Sequence, residues 1–235
     1  MSGKRPALVL SCEHGGNRVP AEWRHLFVGA RTLLASHRGW DPGALAMARV
    51  LARRFEVPLV AADVTRLLVD LNRAPANPRV FSRFTRPLSA ATRAELLARW
   101  HAPHRARVTA AIDRAVARGR PVIHVAVHSF TPVLDGVVRT ADIGLLYDPS
   151  RAREREAALR WRSALRELAP SLRVRLNYPY RGTSDGLTRA VRERHRDRDY
   201  AGIELELGQR LLADARRIGM VRRVLANGLA RVLSP

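Results

Sequence analysis

Short apolar runs alternate with longer stretches of helical period along this chain. Strands that alternate with helices are typical of an α/β domain, so we predict a mixed, mostly parallel sheet with helices packed against it. The run in PVIHVAVHS indicates an interior strand that is buried on both faces. The predicted strands are Ala7–Ser11, Leu59–Ala62, Leu67–Leu71, Val122–Val127, Ile143–Tyr147, Val174–Asn177 and Gly202–Leu207.

The longer segments carry the apolar spacing of amphipathic helices. Asp41 could cap the first of them, with Pro42 at the first helical position. Pro103 should interrupt or kink the second, because proline lacks the backbone N–H that a helix interior needs. The predicted helices are Pro42–Phe55, Ser89–Arg118, Arg151–Leu168 and Gln209–Leu233.

Composition favours a single domain over residues 1–235. The chain is 46% hydrophobic, enough for one substantial core, and no Pro-, Gly- or Ser-rich linker divides it. It lacks both the ~18 consecutive apolar residues of a membrane span and the apolar core of a signal peptide. We therefore expect a cytoplasmic protein with no membrane partner. Cys12 is the only cysteine, which leaves His, Asp and Glu as the available metal ligands.

The formal net charge of +21 is common among proteins that bind nucleic acids. However, Lys4 is the only lysine among the 42 cationic residues, and the arginines are spread over nearly every predicted helix. The chain has no basic tail, no aromatic pattern of an RNA-recognition motif and no zinc-finger spacing. We expect no specific nucleic-acid partner, although this surface should bind polyanions non-specifically at low salt.

Polar residues break the apolar pattern at the ends of several predicted strands. In an open α/β sheet, ligands bind outside the carboxyl ends of the strands, so position alone makes these residues candidates for a site. The segments are SCEHGGN after the first strand, HRGWDPG before the first long helix, LLVDLNR, HVAVHSF and GIELELGQ.

Histidines lie at two of these strand ends. His14 follows the first strand, and Gly15 and Gly16 would let the backbone come close to a ligand; a polar turn or a helix cap is the alternative. His128 ends a later strand and is placed to reach a site. His124 lies on the same strand face within the buried run, so we expect it to be a core histidine with satisfied polar atoms.

Charged groups complete the set of candidate residues. Asp70 to Arg73 closes an apolar run, and an arginine fork beside an amide is well equipped to hold a substrate carboxylate; a surface turn is the alternative. Glu204 and Glu206 project from one face of a late strand, where a buried carboxylate could act as a general base. Two histidines, carboxylates and an arginine are the parts of a zinc hydrolase.

Seven segments occur along the chain in the order CEHGGNRVP, WDPGA, LLVDLNRAP, HVAVHSFTP, DIGLLYD, NYPYRGTSDGLT and GIELELGQRL. This order, over about residues 7 to 212, resembles the N-formylglutamate amidohydrolase family. That family is similar in turn to the zinc carboxypeptidase and aspartoacylase group. The resemblance implies a three-layer α/β/α fold of the phosphorylase/hydrolase type and a site for one Zn²⁺.

The resemblance also assigns metal ligands. His14 and His128 match the two metal-binding histidines of the wider group. That group places a ligand glutamate three residues after the first histidine, whereas this chain has Asn17 there. The third ligand must then come from elsewhere in the chain. Asp41 is the residue we predict, with Glu13 as the next choice.

The catalytic role follows from the same resemblance, as does the match of Asp70 to Arg73 to the segment that binds the substrate carboxylate in the aspartoacylase relatives, whereas the loop contacts are predicted from their mixed polar chemistry. The catalytic glutamate matches the strand of Glu204 and Glu206, with an ambiguity of two residues in the alignment. The loop YPYRGTSDG is expected to contribute to substrate binding. The predicted substrate contacts are Asn72, Arg73, Tyr180 and Arg181.

The expected activity is zinc-dependent hydrolysis of the N-acyl amide, in particular the N-formyl amide, of an acidic amino acid such as N-formylglutamate. Its partner would be that small anionic substrate. The alternatives are a hydrolase of the same fold with another N-acyl or peptide substrate, and a non-catalytic polyanion-binding domain. A thiol nucleophile at Cys12 is disfavoured because no second base accompanies it. We assign His101 and His104, which flank Pro103, to structural or surface positions.

Overall fold

Strands and helices alternate in the structure as the apolar pattern predicts. The structure is a computed structural model that describes residues 5–234. Its strands are β1 (Ala7–Cys12), β2 (Leu59–Ala61), β3 (Val122–Phe130), β4 (Val133–Leu134), β5 (Val137–Val138), β6 (Ile143–Leu146), β7 (Val174–Leu176) and β8 (Tyr200–Gly208). Its α-helices are α1 (Arg31–Ala35), α2 (Ala44–Phe55), α3 (Ala90–Leu96), α4 (Ala102–Ala117), α5 (Ala152–Leu168), α6 (Leu187–Arg192), α7 (Gln209–Ala213) and α8 (Ile218–Leu233).

Six of the strands form one mixed sheet in the order β2-β1-β3-β8-β6-β7. The first four of these pair in parallel, while β6 runs antiparallel to β8 and parallel to β7. Strand β3 is buried along its whole length, as expected for an interior strand that is covered on both faces. Strands β4 and β5, which were not predicted, form a separate antiparallel hairpin.

Helices cover both faces of this sheet, which gives three layers. Helices α2, α5 and α8 pack on one face around apolar side chains that include Val125, Ile203 and Leu205. Helices α4 and α6 cover the other face over a smaller cluster that includes Val9 and Val122. The arrangement confirms the predicted α/β/α class. Within residues 5–234, every helix is too short or too polar to cross a bilayer.

The predicted strand Leu67–Leu71 is wrong, because a turn occupies this segment. The Leu68 N–H donates to the Thr65 carbonyl over 3.0 Å, and the Asp70 N–H donates to the Val80 carbonyl over 2.9 Å. The apolar side chains of the segment are nevertheless buried or partly buried, in two small clusters outside the main core. The apolar run correctly indicated burial, but local hydrogen bonds satisfy its backbone without a sheet.

The helix boundaries differ from prediction at two places, the start of α2 and the break between α7 and α8. Helix α2 begins at Ala44 with Gly43 as its N-cap, so Asp41 does not have the predicted capping role. The second predicted helix is interrupted as Pro103 predicts, because a π-helical turn, Leu97–His101, separates α3 from α4 and Pro103 lies in the first turn of α4. A break between α7 and α8 divides the last predicted helix into two.

Strand pairing brings polar residues to one edge of the sheet. His128 of β3 lies beside Glu206 of β8 in the parallel register. Because strand side chains alternate between faces, Glu204 projects from the same face as Glu206. Strand β1 ends at Cys12, and His14 follows it at this edge. The carboxyl ends of three central strands therefore place the candidate residues side by side.

Candidate metal centre and active site

A cleft of about 340 Å³ opens at this edge of the sheet. All the residues predicted for the site line it, namely His14, Asp41, Asn72, Arg73, His128, Tyr180, Arg181, Glu204 and Glu206. The lining also includes residues that were not predicted, namely Arg66, Arg79, Ser129, Ser184 and Asp185. The fold thus brings distant parts of the sequence into one cleft, while the role of each residue stays a prediction.

Three buried side chains converge within the cleft. His128 Nδ1 lies 2.9 Å from Asp41 Oδ2, and His14 Nδ1 lies 3.4 Å from the same oxygen. One ligand atom from each of the three residues lies within 4.8 Å of the other two. A single cation could therefore contact all three side chains.

Carboxylates hold the second ring nitrogen of each histidine. His14 Nε2 lies 2.8 Å from Asp70 Oδ1, and His128 Nε2 lies 3.1 Å from Glu13 Oε2. A neutral imidazole that keeps its proton on the nitrogen facing a carboxylate has its lone pair on the other nitrogen. Here that other nitrogen is Nδ1, which faces Asp41 in both histidines. The outer carboxylates therefore favour the tautomer that metal binding requires.

Two polar atoms of the cluster are buried without a hydrogen-bond partner among the described residues. Buried polar groups are normally paired, and an ion or an ordered water is a common explanation for an exception. Two imidazoles and a carboxylate match the nitrogen and oxygen ligands that zinc prefers. The residues present therefore fit one divalent cation. The unpaired atoms are His14 Nδ1 and Glu206 Oε2, whereas His128 Nε2 and Glu13 Oε2 contact each other over 3.1 Å.

The electrostatics of the cluster favour positive charge between its carboxylates. Burial alone would lower the pKa of His128, but hydrogen bonds with Asp41 and Glu13 raise it well above its usual range. Burial also lowers the pKa of His14, and the charges of Asp70 and Asp41 outweigh this effect, so the net shift is upward. Carboxylates that stabilise a protonated imidazole would also stabilise a divalent cation bound in place of that proton.

The two glutamates of β8 have different partners. Glu204 Oε1 accepts a hydrogen bond from Thr188 Oγ1 over 2.7 Å, whereas Glu206 Oε2 has no partner in the described chain. The Glu206 side chain is almost fully buried beside His128, and burial raises its pKa to about 8. A buried carboxyl with a proton affinity near neutrality is suited to proton transfer.

Other cleft residues supply hydrogen-bond donors. Asn72 Oδ1 accepts the Leu187 N–H over 2.7 Å, which leaves the Asn72 amide N–H groups to donate. Arg73 Nη1 donates to the Asp185 carbonyl over 3.0 Å. Three cleft arginines form no salt bridge with a carboxylate of residues 5–234, which makes this part of the cleft suited to an anion. They are Arg73, Arg79 and Arg181.

A sequence match to one protein family covers nearly the whole chain. The model of the N-formylglutamate amidohydrolase family matches residues 6–213. The chain belongs to the N-formylglutamate amidohydrolase family. This finding confirms the resemblance that the seven ordered segments indicated, and it places the protein among hydrolases.

Two solved structures share the fold. A gene product of Agrobacterium tumefaciens is 31% identical, with a TM-score of 0.80 over 98% of this chain and 93% of that one. An N-formylglutamate amidohydrolase of Ralstonia eutropha JMP134 is 20% identical, with a TM-score of 0.73 over 99% of this chain and 94% of that one. Among curated proteins, none matches this sequence. The shared fold agrees with the predicted α/β class.

Arg66 lines the cleft of this N-formylglutamate amidohydrolase family member, although its sequence pattern did not predict it as a site residue. Its Nη2 lies 2.7 Å from Asp70 Oδ2, and its Nη1 lies 3.4 Å from Asp41 Oδ1. Arg66 therefore links the carboxylate that holds His14 to the predicted ligand Asp41. Its spacing of four residues from Asp70 was a signal for an ion pair, but only the turn at this segment brings that pair against His14 and Asp41.

Two further histidines were assigned to structural or surface positions. His104 is buried on α4, where its Nε2 lies 3.3 Å from Glu13 Oε1. Glu13 thereby bridges His104 and His128. His101 is buried too, and its Nε2 lies 2.8 Å from the Arg73 carbonyl. The structural assignment is therefore correct, and the surface alternative is wrong.

His124 and Cys12 behave as the sequence predicts. His124 is fully buried, with its Nε2 2.8 Å from Ser11 Oγ and its Nδ1 2.9 Å from the Tyr200 hydroxyl. Cys12 is buried as well, and burial together with the negative charge of Glu13 raises the pKa of its thiol well above the usual range. A thiol in this state is a poor nucleophile.

Gly15 and Gly16 serve backbone packing. A Cβ atom on Gly15 would lie 2.7 Å from the Ala62 carbonyl oxygen, and one on Gly16 would lie 2.5 Å from the Asp63 carbonyl oxygen. The turn after β1 therefore packs directly against the chain that leaves β2. We expected these glycines to admit a ligand, whereas their observed contacts are with this neighbouring backbone.

Proposed function

We propose that this protein is a zinc-dependent amidohydrolase that cleaves the N-formyl amide of an acidic amino acid such as N-formylglutamate. The observation that carries the proposal is the convergence of His14, Asp41 and His128 beside the unpaired, buried oxygen of Glu206. Membership of the N-formylglutamate amidohydrolase family supports the substrate class.

His14, His128 and Asp41 would hold the zinc ion. When bound, zinc supplies Lewis-acid polarisation of the scissile carbonyl and makes water more acidic. Asp70 and Glu13 keep the two imidazoles in the required tautomer, as their distances of 2.8 and 3.1 Å to the Nε2 atoms support.

Glu206 is the proposed general base. It takes a proton from the attacking water and delivers a proton to the leaving amine nitrogen. We favour it over Glu204 because Thr188 already donates to Glu204, whereas Glu206 has a buried oxygen without a partner. A cation nearby would lower the pKa of Glu206 from about 8, so that the carboxylate is ionised at neutral pH.

The cleft arginines would bind the carboxylates of the substrate. Arg73 and Arg181 can each offer two N–H groups to a carboxylate, and the Asn72 amide adds a donor beside them. Tyr180 forms part of the same wall. A cleft of about 340 Å³ suits a small amino-acid derivative. Binding in one orientation would hold the scissile amide near Glu206 and the metal ligands.

Metal analysis separates this proposal from a non-catalytic polyanion-binding domain. Protein purified without chelator should contain about one equivalent of zinc per chain. His14→Ala and His128→Ala should lose it, whereas His25→Ala, which changes an exposed histidine outside the cleft, should retain it. A metal-free wild-type protein that binds polyanions tightly would contradict the proposal.

Release of formate tests the substrate. The zinc-loaded protein should release formate from N-formylglutamate faster than from N-formylleucine, because the leucine side chain cannot pair with a second arginine. Turnover of N-acyl peptides alone would instead support a hydrolase of the same fold with another substrate.

A further inference from the structure

Helix α6 contacts two separate parts of the cleft through its first turn. The Leu187 N–H donates to Asn72 Oδ1, and Thr188 Oγ1 donates to Glu204 Oε1, each over 2.7 Å. The helix therefore links the segment of the predicted substrate contacts to the strand of the predicted base. Its last residue, Arg192, lies outside the cleft lining.

The Arg192 guanidinium is buried, and each of its three nitrogens has a hydrogen-bond partner. Its Nε lies 2.8 and 3.1 Å from the two carboxylate oxygens of Glu154. Its Nη1 donates to the Gly182 carbonyl, and its Nη2 donates to the Gly202 carbonyl over 3.1 Å. One side chain thereby joins α5, the loop 177–186 and the central strand β8.

Glu154 supplies the counter-charge for this buried cation. It is fully buried on α5. Its Oε1 accepts the Gly202 N–H over 3.0 Å, and its Oε2 accepts the Asp148 N–H over 2.8 Å. Backbone donors thus fix the carboxylate, and the carboxylate in turn fixes the direction in which Arg192 points.

The loop 177–186 is fixed at Gly182 from two sides. On one side Gly182 packs so closely on the backbone of Tyr147 that no Cβ atom would fit. Asn177 Oδ1 accepts both the Gly182 N–H, over 3.1 Å, and the Tyr147 N–H, over 3.0 Å. On the other side Arg192 binds the Gly182 carbonyl. Arg181, which precedes Gly182, lines the cleft, so a shift of the backbone at Gly182 would move a predicted substrate contact.

We propose that Arg192 is a positioning residue for substrate binding, which acts by fixing Gly182 against β8 so that Tyr180 and Arg181 face the cleft. The role rests on the proposed amidohydrolase function. Arg192 itself touches neither the predicted metal ligands nor the cleft, and it acts through the Gly182 and Gly202 carbonyls.

Arg192→Lys is the test variant, and Arg151→Lys is its matched control. Lysine keeps a positive charge beside Glu154, but its single ammonium lacks the planar fork that reaches two carbonyls at once. Arg151 Nε also lies near Glu154, at 3.4 Å, and its Nη2 donates to the carbonyls of His195 and Tyr200, which lie outside the loop 177–186. Both variants therefore remove guanidinium hydrogen bonds to backbone carbonyls beside Glu154, but only Arg192→Lys removes the contact with Gly182 in the loop.

Amide hydrogen exchange gives a readout that does not depend on activity. In the zinc-loaded protein, Arg192→Lys should speed exchange in the loop 177–186 by about tenfold or more, because local opening loses a backbone anchor. Exchange in β3 should stay unchanged, and Arg151→Lys should leave the loop at the wild-type rate. Wild-type exchange of the loop in Arg192→Lys would overturn the proposal.

Kinetics of formate release then separates positioning from general structural support. Arg192→Lys should raise KM for N-formylglutamate about tenfold with kcat within about twofold, the pattern of lost substrate binding. An unchanged KM with kcat and zinc content reduced together would overturn the proposal. If wild type releases no formate, the proposed function fails, and hydrogen exchange alone decides whether Arg192 fixes the loop. If Arg192→Lys does not fold, the same hydrogen-exchange and kinetic measurements are made on Glu154→Gln/Arg192→Met, which removes both charges together.

Discussion

At the scale of single residues, the candidate metal centre depends on groups that never need to touch a substrate. His14 and His128 turn their Nδ1 atoms towards Asp41 because their Nε2 atoms face Asp70 and Glu13. The affinity for a metal should therefore respond to these outer carboxylates as well as to the ligands themselves.

Glu13→Gln tests this dependence. The change keeps the size of the side chain but removes the charge that favours a proton on His128 Nε2. Zinc affinity, measured by competition with a chelator at fixed pH, should fall about 10- to 100-fold. Glu22→Gln, which changes a carboxylate of an exposed salt bridge with Arg99, should keep the wild-type affinity. Equal affinities in the two variants would mean that Glu13 does not orient His128.

Glu206→Gln and Glu204→Gln distinguish the two candidate bases. Removal of a general base costs about 10²- to 10⁴-fold in kcat, and we expect this loss for Glu206→Gln with zinc content unchanged. Glu204→Gln should lose less, because Thr188 already occupies one Glu204 oxygen. The measurement is kcat for formate release from zinc-loaded protein. A larger loss in Glu204→Gln would reverse the assignment.

Arg73→Ala tests the proposed carboxylate contact. A hydrogen bond between charged groups contributes about 1.5–3 kcal/mol, so KM for N-formylglutamate should rise roughly 10- to 100-fold. Steady-state formate release measures KM and kcat together, and kcat should change less than KM. Equal turnover by wild type and variant at all substrate concentrations would remove Arg73 from the site.

At the scale of elements, His124 joins three neighbouring strands below the cleft. It lies on β3 and contacts Ser11 of β1 and the Tyr200 hydroxyl of β8. Burial lowers its pKa to about 4. A histidine that is buried in its neutral form makes the fold sensitive to acid, because the unfolded chain binds the proton more readily.

The expected pH dependence follows from that shift. The His124 contribution is fully present above the unfolded pKa near 6.5 and is lost as pH falls towards about 4, up to about 3 kcal/mol in total. Urea unfolding at pH 7 and pH 5 should show a smaller loss of stability in His124→Gln than in wild type, because glutamine does not titrate. Parallel losses in the two proteins would show that His124 is not the responsible group.

Elements were predictable where burial and backbone pairing go together. Strands such as β1, β3 and β8 are apolar because both faces are covered, so their sequence pattern and their structure agree. The segment Leu67–Leu71 is equally apolar, yet a turn satisfies its backbone, and an apolar pattern alone cannot distinguish these cases. The predicted capping role of Asp41 was wrong for a similar reason, because its side chain contacts His14 and His128, which lie far away in the sequence.

At the scale of the whole molecule, the net charge of +21 should produce binding without sequence preference. DNA fragments of two unrelated sequences should bind equally at about 50 mM salt. Both should be released by about 500 mM salt, because counterion release dominates the affinity and salt opposes it. Fluorescence anisotropy measures both affinities. A strong preference for one sequence, retained at high salt, would contradict the prediction.

The candidate site was predictable as a set of residues and less so as a geometry. All nine predicted residues line one cleft. They were predictable because each lies in a segment that resembles the same family, whose model matches residues 6–213. The contacts of Arg66 and Arg192 were not predictable, since each depends on tertiary neighbours that no local pattern specifies. The tautomers of His14 and His128 were not predictable for the same reason, since they depend on the neighbouring carboxylates of Asp70 and Glu13.

The position of β8 has a consequence for synthesis of the chain. Among the described strands, β8 alone joins β3 to β6, although it is the last strand to leave the ribosome. Until residues 200–208 emerge, β1, β2 and β3 end in an unpaired apolar edge, and β6 and β7 have no partner on the inner side. A nascent chain held at that stage would expose a template for aggregation, so we expect slow synthesis before residue 200 to increase aggregation. The strand that carries Glu204 and Glu206 is thus also the one whose arrival closes the sheet.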